Sequence, residues 1–223
     1  MINVTPATDI YNLDVYNEIP KFPNKILEIG TGSGALARQV KTAYPNVNYL
    51  GVEVSAEYVE LSRRYCDRVY FENIENASGE LLKECGSIDV LIMADVLEHL
   101  VDPWKFLARL KNWINPSATL IVCIPNVQHW SIQFGLLSGS FDYSDSGLLD
   151  RTHLRFFTRK TIIQMFESNG YFIKSIKSRI FQFKGQEEML GKLILLSDSC
   201  GLNSTEVVND AAAFQYVLKI GVQ

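Results

Sequence analysis

Short apolar runs alternate with stretches of helical spacing along the first half of the chain. Five of these runs are rich in β-branched residues and predict strands, at residues 25–29, 48–54, 68–71, 88–94 and 119–124. Before the last run, Asp102 followed by Pro103 predicts a helix start. That helix would bury one stripe, formed by Trp104, Leu107, Leu110 and Ile114. Strands that alternate with helices in this way predict a parallel sheet with helices on both faces.

After Pro125 this alternation stops. Residues 126–149 are rich in Ser, Gly, Asp and aromatic residues and predict an insertion made of loops. A helix is predicted at 159–169, with Gly170 as its C-cap. Two later stretches of alternating polarity predict strands, at 171–178 and 214–222. Residues 181–213 carry no clear periodicity and receive no assignment.

The composition predicts a protein with a large core. Of the 223 residues, 47% are hydrophobic and 21% are charged, so disorder is not expected. The net charge of −4 comes without a basic tail, which disfavours nucleic acid as the main partner. None of the 4 cysteines forms a CxxC pair, which predicts reduced core residues. The start of the chain shows no signal peptide, and the apolar runs are too short to cross a bilayer. We therefore expect no membrane span and a cytoplasmic location.

The strongest chemical signal is the sequence ILEIGTGSG at residues 26–34, where a strand runs into a glycine-rich turn. Gly30, Gly32 and Gly34 let the backbone turn sharply and let a ligand approach closely. Glu53 ends the next strand about 20 residues later, where a carboxylate can accept both ribose hydroxyls of an adenosine. The alternative is a tight strand–helix turn without a ligand.

The glycine spacing alone leaves the bound nucleotide open, because both GxGxG and GxGxxG/A fit. Glu28 places a carboxylate beside the loop, which disfavours a pyrophosphate and suits an ammonium or sulfonium group. A nicotinamide-dependent dehydrogenase of the Rossmann kind would also need a proton donor such as a Tyr-xxx-Lys pair after the fifth strand. Tyr143 is instead followed four places on by Gly147.

From about residue 9 to residue 178 the sequence resembles the class I methyltransferases that use S-adenosylmethionine (SAM). The resemblance is carried by four segments, 28–34, 53, 73–75 and 94–100. It implies SAM as the cofactor, with the glycine loop against the methionine part and Glu53 on the ribose. The residues implied in cofactor binding are Glu28, Gly30, Gly32, Gly34, Glu53, Val54, Asn73, Ile74 and Asp95.

Two positions depart from the pattern of that family. Asn73 stands where an Asp commonly reads the adenine amino group, and its carbonyl oxygen can still accept that hydrogen bond. Thr31 stands where many relatives have Cys, and we expect a minor effect because it is a spacer between glycines. Asp95 either faces the methionine end of SAM or caps the next turn.

A second cluster, LLDRTHLRFFT at residues 148–158, mixes cations, a histidine, an acid and aromatic residues. It resembles a segment of methyltransferases found beside bacterial cell-surface polysaccharide and glycan genes, which implies that it faces the substrate. We expect His153 to act as the general base and Arg151 or Arg155 to bind a phosphate or carboxylate of the acceptor. The alternative is a structural clamp in which Asp150 pairs with Arg151 or Arg155.

The remaining histidines are further candidates. His99 is either a second candidate for the base or a packing residue. His129 and Trp130 follow the fifth strand and are expected to line the same cleft as substrate-binding residues, although Trp130 could equally pack in a lid. We expect no metal, because the acidic residues lack the spacing of a metal site; these are Asp95, Glu98, Asp142, Asp145 and Asp150.

These inferences combine into one predicted function, methyl transfer from SAM to an oxygen of a small polar acceptor. Nitrogen is the less favoured target, and an anionic sugar or glycan precursor fits the second cluster. The alternatives are a non-catalytic SAM-binding module and the dehydrogenase already named. The sequence does not determine the oligomeric state and is compatible with a homo-oligomer.

The predicted fold is α/β, a Rossmann-like doubly wound sheet. It would be mostly parallel and seven-stranded, with an antiparallel last strand. A single domain is expected over residues 1–223, with an N-terminal cap at about 1–24 and a substrate-facing insertion at about 126–160.

Overall fold

The computed structural model describes residues 9–222, so residues 1–8 of the predicted N-terminal cap lie outside the described part. Its strands are β1 (Lys25–Ile29), β2 (Asn48–Glu53), β3 (Arg68–Phe71), β4 (Val90–Ala94), β5 (Thr119–Pro125), β6 (Tyr171–Arg179) and β7 (Gln215–Val222). Its helices are α1 (Leu13–Glu18), α2 (Ala35–Ala43), α3 (Ala56–Ser62), α4 (Gly79–Cys85), α5 (Pro103–Leu110), α6 (Trp130–Leu137), α7 (Arg159–Glu167), α8 (Gln186–Ser199) and α9 (Ser204–Ala212). Short 3₁₀ turns cover Ile74–Asn76 and Leu97–His99.

The strands form one sheet in the order β3-β2-β1-β4-β5-β7-β6. The strands β1 to β5 pair in parallel, and β7 is antiparallel to both of its neighbours. The predicted fold is therefore confirmed. Because β7 runs the other way, its first residue, Gln215, lies beside Pro125 at the end of β5 and beside Arg179 at the end of β6. The last strand thus begins at the sheet edge where the parallel strands end.

Two apolar layers cover the faces of this sheet. Along β1, Leu27 and Ile29 belong to one layer and Ile26 to the other, as the alternation of side chains along a strand requires. The central strands β4 and β5 are almost entirely buried, which is why they read as continuous apolar runs. Burial of each large aliphatic side chain contributes about 1.5–3 kcal/mol relative to exposure. The sheet is therefore a rigid platform for the loops at its edge.

The predicted buried stripe of α5 is wrong at one position. Trp104 is 41% exposed, and its ring lies 6.0 Å from that of Phe157. The helix instead buries Phe106, which is 2% exposed, together with Leu107 and Leu110. The predicted helix start is confirmed, because Asp102 Oδ1 accepts a hydrogen bond from the backbone N–H of Lys105. The buried face of the helix is formed by Pro103, Phe106, Leu107 and Leu110, and Trp104 lies beside this face rather than on it.

The segment without a sequence assignment contains the two helices α8 and α9, which pack against each other. Their apolar residues lack a single buried face, because α8 exposes three in a row, Ile194, Leu195 and Leu196. This exposure explains why no helical period was visible in the sequence. Within residues 9–222, no helix is long and apolar enough to cross a membrane.

The different burial of Phe106 and Trp104 predicts different losses in the free energy of unfolding when each is replaced by alanine. Phe106→Ala should lower the free energy of unfolding by about 3–5 kcal/mol, because it leaves a cavity in the core. Trp104→Ala removes a larger side chain but should cost much less, since much of that side chain already meets water. Urea titrations of the two variants and the wild type test this ranking. Equal losses would mean that Trp104 is part of the core after all.

Candidate active site

A cavity of about 820 Å³ lies over the edge where the parallel strands end. This is where ligands bind in sheets of this kind, because the loops that follow the strands converge there. Residues from the glycine loop, the ends of β2 to β5, the start of β7 and the segment 147–154 line it. The sequence-predicted residues among them are Gly30, Gly32, Glu53, Val54, Asn73, Ile74, Asp95, His99, Arg151 and His153.

The glycine loop is shaped by backbone conformations that other residues rarely adopt. Gly30 has a φ of 75°, and a Cβ there would lie 3.0 Å from Val96 Cγ2. Gly34 has a φ of 80° and caps α2, and a Cβ there would lie 2.9 Å from Ser62 Cα. Gly30 and Gly32 face the cavity, whereas Gly34 is not among its lining residues. Gly34 therefore serves the turn rather than the cavity wall.

Glu53 holds the glycine loop and the start of the next loop together. Its Oε2 accepts from the backbone N–H of Gly32 at 2.9 Å. Its Oε1 accepts from the backbone N–H groups of Val54 at 2.8 Å and Ser55 at 2.9 Å. A carboxylate has about four lone-pair directions, so these bonds leave one acceptor direction toward the cavity. Glu53 is thus both a structural residue and a candidate ligand-binding residue.

Asn73 also has a structural task that the sequence did not reveal. Its Oδ1 accepts from the backbone N–H of Glu75 at 2.9 Å and caps the turn Ile74–Asn76. The same oxygen is the one expected to accept from an adenine amino group. A carbonyl oxygen has two lone pairs, so both bonds can exist together.

Glu28 does not line the cavity in the described structure, which corrects the expectation that its carboxylate faces a ligand beside the loop. Its side chain points to the opposite face of the sheet and accepts from the Tyr49 hydroxyl at 2.9 Å. Alternation along β1 explains this direction, because Ile29 takes the other face. Burial raises the pKa of Glu28 to about 8, and the hydrogen bond from Tyr49 opposes that shift.

Asp95 follows β4 at the floor of the cavity. It has a φ of 55°, an unusual conformation that Asp tolerates better than most residues. Its backbone N–H donates to the carbonyl of Cys123 at 3.0 Å, and its Oδ1 accepts from the side-chain amide of Gln215. Desolvation raises the pKa of Asp95 to about 6, and the charge of Arg179 and the hydrogen bond from Gln215 oppose that shift. No capping bond from Asp95 to the next turn is among the hydrogen bonds of residues 9–222.

His99 and His153 meet at one wall of the cavity, with ring centroids 4.8 Å apart. His99 Nδ1 lies 3.2 Å from the Thr152 carbonyl and 3.1 Å from its hydroxyl. His153 Nδ1 lies 3.2 Å from the carbonyl of Leu148. Desolvation lowers the pKa of both imidazoles and thereby favours their neutral form. The two histidines are thus brought together by the fold as candidate proton acceptors.

Beside them lies Glu98, which the sequence did not single out for chemistry. Its side chain is 1% exposed, and neither carboxyl oxygen has a hydrogen-bond partner within the described residues. Burial, with Asp95 nearby as a second cause, raises the pKa of Glu98 well above its usual value. Its backbone carbonyl accepts from the N–H groups of Leu154 and Arg155 at 2.8 and 3.0 Å. Those two bonds dock the segment of His153 against the turn that carries His99.

The two arginines of the second cluster, Arg151 and Arg155, have different surroundings. Arg151 lines the cavity and pairs with the exposed Asp145 at 2.8 Å. Arg155 is absent from the cavity lining of the described residues, and its guanidinium donates to the carbonyl of Val101. The expectation that Arg155 anchors a substrate is therefore corrected, because among the described residues it does not line the cavity and its guanidinium donates to the backbone carbonyls of Leu154 and Val101. Asp150 accepts from the N–H and hydroxyl of Thr152, at 2.8 and 2.6 Å.

His129 and Trp130 do not line the cavity in the described part of the chain, which corrects the expectation that they do. His129 caps α6, and its ring lies 5.4 Å from that of Phe214, which does line the cavity. Its Nδ1 lies 2.8 Å from the Ser131 hydroxyl. Burial lowers the pKa of His129 to about 4. Both residues therefore pack behind the cavity wall, which agrees with the packing alternative for Trp130.

Several lining residues could not be found by sequence reasoning. Phe214 and Gln215 stand at the start of β7, far along the chain from any motif, and reach the site only because β7 is antiparallel. Thr152 lies inside the second cluster, but nothing in its residue type distinguishes it as a site residue. Glu98 adjoins His99, and only its burial without partners distinguishes it from a surface acid.

A family profile described as a methyltransferase domain matches residues 12–175, well over half of the chain. With the sheet order and the cavity described above, the chain belongs to the class I SAM-dependent methyltransferases. This assignment decides against the dehydrogenase that the glycine loop alone left open.

The chain is similar to several methyltransferases. It is 23% identical over 173 residues to a ubiquinone biosynthesis O-methyltransferase of Rickettsia prowazekii, covering 77% of this chain and 67% of that protein. It is 34% identical over 100 residues to Methyltransferase str2 of Strobilurus tenacellus, covering 45% of this chain and 35% of that protein. The plantazolicin methyltransferase BpumL, solved in complex with S-adenosylhomocysteine (SAH), matches with a TM-score of 0.60 and 18% identity, covering 94% of this chain and 80% of that chain. This last likeness shows the fold.

The buried Glu28 predicts a pH dependence of stability. A carboxyl whose pKa is raised on folding binds its proton more tightly in the folded state, so stability falls as the pH rises between about 4.5 and about 8. Glu28→Gln is neutral at every pH and should remove this dependence. The variant should gain stability relative to the wild type over that range, by on the order of a few kcal/mol. Thermal or urea unfolding at pH 5 and pH 8.5 measures it.

The exposed Glu167 provides the matched control, because Glu167→Gln changes the same group in water. Its stability difference from the wild type should stay nearly constant over the same pH range. A constant difference for Glu28→Gln as well would show that Glu28 is ionised in the folded protein at pH 5.

Proposed function

We propose that this protein transfers the methyl group of SAM to an oxygen of a small polar acceptor. One observation carries the proposal: the glycine loop with Glu53 and the pair His99–His153 line the same cavity. Groups suited to binding a nucleoside and groups suited to accepting a proton thus line one cavity. The relative from Rickettsia prowazekii is named an O-methyltransferase, which supports oxygen over nitrogen as the target.

The residues present fit SAM in four respects. Gly30 and Gly32 leave room for close approach of a ligand to the backbone. Glu53 has one acceptor direction left for a ribose hydroxyl. Asn73, with Val54 and Ile74 beside it, offers an oxygen and apolar walls to an adenine ring. Asp95 supplies a carboxyl group for the amino group of the methionine end.

SAM supplies a methyl group on a sulfonium, and as the acceptor oxygen takes the methyl the carbon–sulfur bond breaks with its electron pair on sulfur, leaving SAH. The acceptor hydroxyl must lose its proton in the same process. His153 is the proposed proton acceptor, because its Nδ1 faces the carbonyl of Leu148 and its Nε2 keeps a lone pair. His99 is the second candidate for the same reason.

The acceptor is proposed to be a sugar or glycan precursor that carries an anionic group. Arg151 supports the anion, because its guanidinium lines the cavity and its partner Asp145 is 80% exposed. An ion pair at such an exposed site is worth about 1 kcal/mol or less, so an acceptor phosphate or carboxylate could replace Asp145. The sugar class rests on the resemblance of residues 148–158 alone.

The role of Glu53 is tested by SAH binding. Because Glu53 also holds three backbone N–H groups, Glu53→Gln is a better variant than Ala, since it keeps the shape of the side chain. Loss of a hydrogen bond to a charged acceptor should weaken SAH binding by about 1.5–3 kcal/mol, roughly 10–100-fold. Calorimetry with SAH and with NAD measures it, with Glu57→Gln, an exposed acid of α3, as the control. Unchanged SAH affinity would remove Glu53 from the site, and tighter binding of NAD would overturn SAM as the cofactor.

The role of His153 is tested by turnover. His153→Ala should reduce methyl transfer by roughly 10²–10⁴-fold while SAH affinity stays unchanged, because only the proton transfer is lost. Labelled SAM incubated with a cell extract gives the assay, since no acceptor needs to be known beforehand. His129→Asn is the matched control, because it alters a histidine outside the cavity and keeps an N-cap residue. Transfer at the wild-type rate by His153→Ala would make His99 the base, and SAH binding with no transfer by the wild type to any fraction would favour a binding module.

A further inference from the structure

Glu98, His99 and His153 each direct one potential ligand atom toward the same point. These three atoms, one carboxylate oxygen and two imidazole nitrogens, lie within 4.8 Å of one another. His99 and His153 also line the cavity, whereas Glu98 lies behind them with 1% of its surface exposed. The cluster is therefore a buried recess in the cavity wall that opens past two imidazole rings.

The hydrogen bonds of His99 determine which of its nitrogens can bind a cation. The Thr152 hydroxyl donates its proton to Asp150 Oδ1 at 2.6 Å, so its oxygen can only accept from His99. The Thr152 carbonyl can likewise only accept. Both contacts require the proton of His99 on Nδ1, which leaves the lone pair on Nε2.

His153 is held in the same way. Its Nδ1 faces the carbonyl of Leu148, which has no proton to give, so Nδ1 carries the hydrogen and Nε2 carries the lone pair. A ring N–H that donates to a backbone carbonyl or to a hydrogen-bonded side chain is the usual outer shell of a metal-binding histidine. Both histidines of the recess have such a shell, which orients their Nε2 atoms in advance.

The environment of Glu98 is a second observation, independent of the two histidines, that points to a bound cation. Neither of its oxygens has a hydrogen-bond partner among residues 9–222, although the side chain is buried. An unpaired buried polar group costs about 1–3 kcal/mol, and more if charged. With the proton on Nδ1, the Nε2 atoms of His99 and His153 carry lone pairs and cannot donate a hydrogen bond to the Glu98 carboxyl oxygens. A cation between the three side chains would satisfy all of them at once.

We infer that Glu98, His99 and His153 form a binding site for one divalent transition-metal ion at the wall of the cavity. Two neutral imidazole nitrogens and one carboxylate oxygen suit zinc, manganese, iron or cobalt rather than magnesium or calcium, which prefer oxygen ligands alone. Three protein ligands leave further coordination positions, as in catalytic metal sites. Because the two imidazoles line the cavity, those positions face the space proposed for the acceptor.

The catalytic consequence rests on the proposed function. A bound metal takes the lone pair of His153, so His153 no longer accepts the proton of the acceptor. The metal instead binds the acceptor hydroxyl and lowers its pKa, the proton leaves to water, and the oxygen then takes the methyl group. This changes the expectation of a metal-free site, which considered only the spacing of the acidic residues.

Metal binding is tested without any turnover. Untagged full-length protein is freed of metal with a chelator and titrated with Co²⁺, followed by visible absorption, and with Zn²⁺, followed by calorimetry. We expect one equivalent to bind. Glu98→Gln keeps the size of the side chain, and it and His153→Ala should each weaken binding by more than the roughly 10–100-fold typical of an outer-shell change.

Two controls separate this site from other ligands of the chain. The chain has only 3 histidines, so His129→Asn tests the remaining one and should bind as the wild type does. Cys200→Ser removes the exposed thiol and should also leave binding unchanged. The inference is overturned if no stoichiometric binding occurs, or if Glu98→Gln and His153→Ala bind as tightly as the wild type.

The catalytic role is tested separately with the label-transfer assay. Metal-free enzyme should bind SAH normally but lose methyl transfer, and added Co²⁺ or Zn²⁺ should restore it. Equal transfer by metal-free and metal-loaded enzyme would overturn the role of the metal and leave His153 as the base. Stoichiometric metal binding without transfer under any condition would instead contradict the proposed function and leave the metal site standing.

Discussion

The parallel alignment of β1 to β5 is the constraint on which the rest of the structure depends. Parallel strands must all end at the same edge of the sheet, so the loops that follow them are forced together. The glycine loop, Glu53, Asn73 and Asp95 each follow or end one of these strands. Their convergence on one cavity is a consequence of the hydrogen-bonding pattern rather than of any attraction between them.

The other half of the cavity depends on a few backbone hydrogen bonds. The carbonyl of Glu98 accepts from Leu154 and Arg155, which fixes the segment 148–155 across the end of β4. The antiparallel β7 contributes Gln215, whose amide donates to Asp95. Both contacts join parts of the chain that are far apart in sequence. They close one side of a cavity that the strand ends alone would leave open.

Burial gives the two sides of the cavity different electrostatic characters. On the side proposed for the nucleoside, the Glu53 carboxylate accepts hydrogen bonds from three backbone N–H groups. On the opposite side, desolvation raises the pKa of Glu98 and lowers the pKa of His99 and His153, so burial disfavours the charged form of all three groups. A neutral wall with lone pairs is suited to receiving a proton or a cation. This asymmetry suits the proposed binding of a charged cofactor on one side of the cavity and the proposed activation of an acceptor on the other.

The sequence by itself determined the strands, the parallel sheet and the cofactor class, because these follow from local patterns. Apolar runs, the spacing of Gly30, Gly32 and Gly34, and the carboxylate of Glu53 each express their role within a few residues. The tertiary structure decided which polar side chains share a space. It directs Glu28 to the Tyr49 hydroxyl, lets Arg155 donate to the carbonyl of Val101, packs His129 against Phe214, and brings His153 close to Glu98 and His99. The direction of a side chain at the end of an element depends on contacts with distant segments, and no local pattern of polarity records those contacts.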